Sequence, residues 1–389
     1  MSPYKQKQQL KKINLTIFFL GFLDAFLVYL LSAYITPLTG EKAVGWFYLA
    51  TFSTVFLVLF FFHHIVRKLG QSRTLYFFLG TAILTSVLLS HFNLSWGTIA
   101  LALVFIVTVN GAYVALDILL EGYSNDDMSG HIRGLNLTLM NLGLLLAPLL
   151  SVLVLKDYGY SGVFFILTLG YSITFLYALL AFRNDNHALT EKVYTFHSIQ
   201  KIWQEPGLRI IYGISFTMEF FYALMIVYMP LHLLDLGVSW EQIGVLFTIM
   251  LVPFVLIEYP LGVLADKRKS EKDLLIMSLV IAALSTAGLI FITTPDFLAL
   301  AILLFMTRVG IAGVEVLRDS YFYKQVDADD TDVIAFFRTT RSLANIIGTV
   351  GLLFLFIFFP LVAFLYLATF VLLLGLFMAF SLGKKKGGN

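Results

Sequence analysis

The sequence predicts an all-α integral membrane protein, with twelve transmembrane helices in two pseudo-symmetric six-helix bundles. Composition, segment length and internal repetition each point there. Of 389 residues, 59% are hydrophobic and only 13% charged. Soluble domains sit nearer roughly 45–50% apolar and about 25% charged. The excess is gathered into runs that reach the roughly 20 residues a helix needs to cross a bilayer. Twelve such runs follow one another, which excludes a soluble protein and a single-span anchor. The two halves of the series carry the same pattern of polar residues.

In chain order the predicted spans are 13–35, 44–65, 73–91, 96–120, 132–155, 161–182, 207–232, 242–264, 272–293, 297–321, 333–358 and 360–382. The first is too long for a secretory signal and lacks a small-residue cleavage site, so it is a span. It ends in Tyr34-Ile-Thr-Pro37-Leu38, as the seventh ends in Tyr228-Met-Pro230-Leu231. The second and eighth both open with a glycine after a short polar loop, Gly45 and Gly244. His63 and His64 close the second at a depth that amphipathic side chains favour. The fourth and tenth align without gaps, placing Asn110, Asp117, Glu121 and Tyr123 on Arg308, Glu315, Asp319 and Tyr321. The fifth and eleventh align Arg133, Asn136 and Gly143 with Arg338, Arg341 and Gly348. The third, sixth, ninth and twelfth complete the series by length and apolarity. Residues 183–206 form the long polar stretch inside the chain. It divides the protein into an N-terminal bundle (1–182), a cytoplasmic linker (183–206) and a C-terminal bundle (207–389).

Charge distribution sets the orientation. Lys5, Lys7, Lys11 and Lys12 precede the first span, and Arg67, Lys68 and Arg73 follow the second. Arg183, Lys192, Lys201 and Arg209 mark the central stretch, Lys267, Arg268, Lys269 and Lys272 the loop after the eighth span, and Lys384, Lys385 and Lys386 the tail. The opposite loops have only Lys42 and Lys156. Basic residues favour the cytoplasmic side, so both termini and the linker are expected there, with the chain in the inner or plasma membrane. The absence of cysteine excludes disulfides and thiolate chemistry. No spacing suggests a metal site, and no nucleophile–base set or nucleotide-binding glycine loop suggests an enzyme or an ATP-driven motor. No cofactor and no nucleic-acid partner are expected. The expected partners are a small-molecule substrate, protons and the lipid bilayer, with the chain acting as a monomer.

Four residues near the midpoints of spans one, four, seven and ten carry the functional signal: Asp24, Asn110, Glu219 and Arg308. A charge at the bilayer centre costs on the order of 2.5–3.5 kcal/mol by insertion scales and usually marks a substrate or ion path. Repeats in a transporter place the binding site near midplane at the repeat interface. The regular spacing of these four spans therefore predicts one central cavity, and a transporter.

Twelve spans with six-plus-six symmetry and a central loop resemble the major facilitator superfamily over nearly the whole chain. The sharpest local mark is Gly262-Val-Leu-Ala-Asp266-Lys267-Arg-Lys, similar to the family loop motif Gly-x-x-x-Asp-(Arg/Lys)-x-Gly with Lys269 in place of the last glycine. The first-half copy, His63-His-Ile-Val-Arg67-Lys68-Leu-Gly70, has Arg67 where the acid belongs. Span five contains Gly134, Gly143 and Ala147-Pro148, similar to a degenerate form of the family's antiporter motif. Among family branches, the drug/proton antiporter-like one is the nearest in pattern. The motif fits either export by antiport or ordinary packing, since small residues let helices approach.

The resemblance implies that spans one, four, seven and ten line the cavity and that helix-end charges latch one conformation. Asp266, Lys267 and Gly262 are then expected to act with Arg338, Glu315 and Asp319. Arg133, Asp117 and Glu121 repeat the set in the first half. Static ion pairs are the competing reading. Asp24 has no basic residue at comparable depth in its half, which makes it the expected proton carrier. Glu219 is expected to pair with Arg308, which has no neutral form, and to join in proton coupling. Tyr222 and Phe26, beside these acids, are expected in the cavity and suit a cation through cation–π attraction. Glu258 with Arg341 is either an inner gate or a plain interhelix bridge. Asn136 and Asn141 are either interhelical hydrogen-bond residues or cavity groups. The function expected is secondary active transport of a small organic solute, proton-coupled, with export of amphipathic or cationic compounds. Symport of a sugar or organic anion, and a non-transporting receptor or lipid-handling protein on the same fold, are the alternatives.

Overall fold

The computed structural model of the chain describes residues 3–28, 30–39, 44–123, 129–183, 195–268, 271–327 and 330–383. Lys42, Lys192, Lys269, the lysines of the tail and most of the predicted linker lie outside the described residues. The described residues are mostly helical, without strands: α1 (Pro3–Val28), α2 (Leu31–Thr39), α3 (Val44–Phe60), α4 (Phe62–Leu69), α5 (Gln71–His91), α6 (Trp96–Glu121), α7 (Ser129–Ala181), α8 (Thr195–Gln204), α9 (Pro206–Asp235), α10 (Trp240–Arg268), α11 (Lys272–Leu289), α12 (Phe297–Tyr323), α13 (Thr331–Phe358) and α14 (Ala363–Phe380). Every predicted span falls on helix. Among the described residues, eight helices are long and apolar enough to cross a membrane, or nine counting the bent pair α3–α4 as one.

The boundaries differ where backbone chemistry intervenes. The first predicted span starts earlier, at Pro3, and is divided between α1 and α2. The second bends by 52° between Phe60 and Phe62. The fifth and sixth run together in α7, broken at Gly159 with φ 63° and ψ −167°. That conformation is open to glycine and strained for other residues. Ser95 and Thr98 exchange side-chain and backbone bonds in a capping box that starts α6, and the Asp296 carboxylate accepts from Ala299 N to start α12. Pro206 opens α9, where a missing N–H costs nothing. Pro253 and Pro260 lie inside α10. The Thr138 hydroxyl accepts the Tyr259 N–H at 3.1 Å beside the second of these. Such local partners are how a membrane helix tolerates proline.

Large apolar side chains such as Leu180, Phe291 and Phe377 are more than 70% exposed, and the solvent that accepts them is lipid. The chain packs as two compact units. One comprises residues 1–124, 139–199 and 326–339, and the other 125–138, 200–325 and 340–389. Each is one half of the sequence with a short segment traded for its counterpart. The first ten described residues of α7 pack with the second half, and the first turns of α13 with the first half. In the first unit Gly143 lets α7 approach α1 closely, since a Cβ there would lie 2.5 Å from the Phe18 carbonyl.

Candidate functional site

In the second unit a polar cluster joins α9 to α12. Arg318 is 2% exposed, and its guanidinium donates to Glu219 Oε1 at 3.1 Å, Asp319 Oδ1 at 3.1 Å and Ser215 Oγ at 2.9 Å. Ser215 in turn shares a hydrogen bond with the Thr340 hydroxyl at 2.9 Å. One turn away on α9, the Tyr222 hydroxyl donates to Glu315 Oε2 at 2.8 Å. The rings of Tyr222, Phe221 and Phe254 lie 5.3, 5.9 and 5.9 Å from the buried Arg308 guanidinium. Glu219, expected with Arg308, holds Arg318, and Arg308 lies among aromatic faces. Arg318 was missed by ranking charges on depth alone, because it sits near the end of its span. The signal that would have found it is the Glu315–Arg318 spacing, three residues apart on one helix face.

A second cluster lies where α7 begins and α10 ends. The Asp266 carboxylate accepts the Gly130 N–H at 3.1 Å and the His131 N–H at 2.7 Å. These are first-turn amides of α7, which have no intrahelical acceptor, so Asp266 caps α7 from another helix. Lys324 donates to Asp266 Oδ1 at 3.0 Å and to Glu271, and Ser320 donates to Glu271 at 3.2 Å. Burial disfavours the Lys324 ammonium, but the bonds to Glu271 and Asp266 outweigh it and raise its pKa. Gly130 and Gly262 meet backbone to backbone, and a Cβ on either would strike the carbonyl of the other. Gly134 meets the Glu258 carbonyl in the same way. Nearby, the Arg133 guanidinium lies 3.2 Å from the centre of the Tyr323 ring.

The helix-end residues lie as follows within each unit. Asp266 takes Lys324 and two amides. Arg338 donates to Asp117 at 2.7 Å in the first unit. Glu315 and Asp319, expected beside Asp266, belong to the Arg318–Tyr222 cluster. The Arg133 guanidinium lies on the Tyr323 ring within the second unit. Glu121 is buried in the first unit, and Gly262 and the exposed Lys267 flank the Asp266 site. In the first unit Asp24 is half-buried, and Tyr171 is fully buried. Phe26 is buried against Phe22, with ring centres 5.8 Å apart. Asn110 donates to its own helix at the Ile106 carbonyl, 2.9 Å away. In the second unit Glu258 is fully buried and Arg341 exposed.

The family model described as Major Facilitator Superfamily matches residues 13–349, and matches again over 210–388. The chain belongs to the Major Facilitator Superfamily. It is a multi-pass membrane transporter and not an enzyme, and it binds a small-molecule substrate. A search of the curated proteins found no match. Among solved structures, a bacterial homologue of the iron transporter ferroportin, outward-facing with soaked iron, is similar at TM-score 0.77 and 13% identity, over 96% of this chain and 98% of that one. The human organic anion transporter MFSD10 (TETRAN) is similar at TM-score 0.76 and 12% identity, over 97% of this chain and all of that one (100%). At such identity these likenesses show the superfamily fold alone. Among the described residues no group of three or more His, Cys, Asp or Glu side chains is placed to hold a metal ion.

Proposed function

We propose that this superfamily member is a proton-coupled secondary transporter that exports a small amphipathic or cationic organic compound by alternating access. The observation that carries the reading is the set of rings around Arg308. The three aromatic faces that hold the Arg308 guanidinium would take an organic cation by the same quadrupole interaction once Arg308 moves aside. Carboxyl groups on the same helices supply the charge that protons neutralise. Asp24 is the proton carrier of the first half. Glu219 is the substrate-sensitive acid of the second, acting through Arg318. The Asp266–Lys324 and Asp117–Arg338 contacts serve as latches that hold one conformation. The chain works as a monomer of two six-helix bundles joined by 183–206, in the cell membrane with both termini inside.

One observation favours a second reading: Arg308 is itself a permanent cation on a helix the family uses for its cavity, which suits uptake of an organic anion. Proteoliposomes with an internal pH dye separate the two. Tetraphenylphosphonium moving against protons supports export. Benzoate moving with protons supports the second reading. Pump-independent flux of both probes, indifferent to an imposed pH gradient, would refute proton coupling. A Thr195→Cys variant, in a chain without native cysteine, should label only from the cytoplasmic side, and labelling from outside would overturn the orientation.

A further inference from the structure

We infer that Thr138 is a positioning residue of the transport cycle: it clamps α10 at its second proline, so that a displacement of Phe254 in the ring set reaches the first turn of α7. The inference rests on the reading of that ring set as the cation site, and its first test is made without a cation. The start of α7 closes on one residue of α10, Tyr259. The His131 ring meets the Tyr259 ring edge-on, with centres 5.1 Å apart. At Gly134 a Cβ would lie 2.6 Å from the Glu258 carbonyl oxygen and 3.1 Å from Tyr259 Cα, so the backbones touch. The Thr138 hydroxyl accepts the Tyr259 N–H at 3.1 Å. His131, Gly134 and Thr138 follow one another at helical spacing and share one face of α7.

The Thr138 bond sits at a proline step. Pro260 has no N–H to give to its own helix, and the amide just before it is the one that Thr138 takes. Prolines are where helices bend. Pro253 makes a second such step about two turns earlier. The stretch between the prolines begins with Phe254, whose ring lies 5.9 Å from the Arg308 guanidinium, and ends with Tyr259. It is a short lever, with one end in the ring set and the other in the grip of α7. Beyond Pro260 the same helix carries Gly262, against the Gly130 backbone, and Asp266, which caps α7. A cation that takes the place of Arg308 among the rings presses on Phe254. Tyr259 is exposed within a predicted span, where an N–H facing lipid needs an acceptor. With the Thr138 hydroxyl as that acceptor, the lever and the start of α7 move together. Without it, the Tyr259 amide turns to the Val255 carbonyl of its own helix, and the two helices respond separately.

Hydrogen–deuterium exchange over residues 129–137 of the reconstituted full chain, referred to the amides of α11, reads the coupling in a double-mutant cycle. Phe254 and Asp266 are about 18 Å apart along α10, far enough that independent effects add. Phe254→Ala should lower the relative protection of the segment. Phe221→Ala, which removes a ring equally far from Arg308 but on α9, should not. Thr138→Val removes the acceptor, and on that background Phe254→Ala should act at least about fivefold more weakly. Thr138→Ser, which restores the hydroxyl, should restore the wild-type response. Pro260→Ala, which gives α10 back its amide, should weaken the response as Thr138→Val does. Effects of Phe254→Ala and Thr138→Val that multiply to within about twofold would overturn the inference, whatever the chain transports. Tetraphenylphosphonium then tests the reading beneath it: it should lower the protection of the segment in wild type, and bind Thr138→Val without doing so. A coupled cycle in a protein that binds no tetraphenylphosphonium would leave the role of Thr138 standing and remove the cation reading.

Discussion

Asp266→Asn tests whether the contact between α10 and the start of α7 controls a conformational balance. The carboxylate accepts two first-turn amides, from Gly130 and His131, and faces Lys324. A hydrogen bond to a charged group contributes about 1.5–3 kcal/mol, and an anion at a helix N-terminus about 0.3–1 kcal/mol more. Asparagine keeps one acceptor oxygen but turns the other position into an N–H facing an N–H. One amide bond and the charge are lost together, about 2–4 kcal/mol of the latched state. At about 1.4 kcal/mol per decade, the latched population relative to the open one falls by about 30- to 700-fold. Hydrogen–deuterium exchange over residues 129–138 reads the effect at the donor amides themselves. Their protection should fall by a factor in that range, while substrate affinity stays within a few-fold. Wild-type protection of the segment in Asp266→Asn would refute the reasoning.

Lys324→Met should loosen the same segment, because it leaves Asp266 and Glu271 facing each other without their cation; removing one member of a buried pair costs about 3–5 kcal/mol. The pH response follows from the raised Lys324 value. A cation whose folded-state pKa lies above its unfolded value of about 10.4 contributes in full below that value, and the contribution is lost as pH rises through the folded value. Lys324's share of the segment's protection should hold across the neutral range and disappear only in strongly alkaline solution. A loss near neutrality would contradict the assignment of Lys324. Gly262→Ala should lower thermal stability by about 1–3 kcal/mol through overpacking against the Gly130 backbone, and an unchanged melting temperature would show that the two helices are free to part.

The fold was legible because lipid imposes a simple rule: each span needs one long apolar run, and each run is visible in one dimension. What was not legible came from backbone and from pairing. The 52° bend near Phe61 and the division of the first span between α1 and α2 interrupt no hydrophobic run. The acids and bases at helix ends were visible, but their partners were assigned within one half. Asp266 binds the amides of Gly130 and His131, donors that every non-proline residue carries and no sequence pattern marks. Arg338 reaches Asp117, a pairing across more than two hundred residues that only the traded segments explain. Depth along a span picked out Glu219 and Arg308. It could not say that Arg318, closer to a helix end, is the arginine that reaches Glu219. Repetition showed Glu315 as the mate of Asp117, and only side-chain geometry shows that the mates have different partners.

The central claim is that protons drive this transporter through an acid on its first helix. Its most direct test is tetraphenylphosphonium accumulation in proteoliposomes under an imposed pH gradient, with wild type beside Asp24→Asn. Wild type should accumulate the probe only with the gradient, with a matching proton flux in the opposite direction. Asp24→Asn should still bind the probe and exchange it at equilibrium, but should not accumulate it. Glu219→Gln, measured alongside, should bind it more weakly. Gradient-driven accumulation in Asp24→Asn equal to that of wild type would contradict the account.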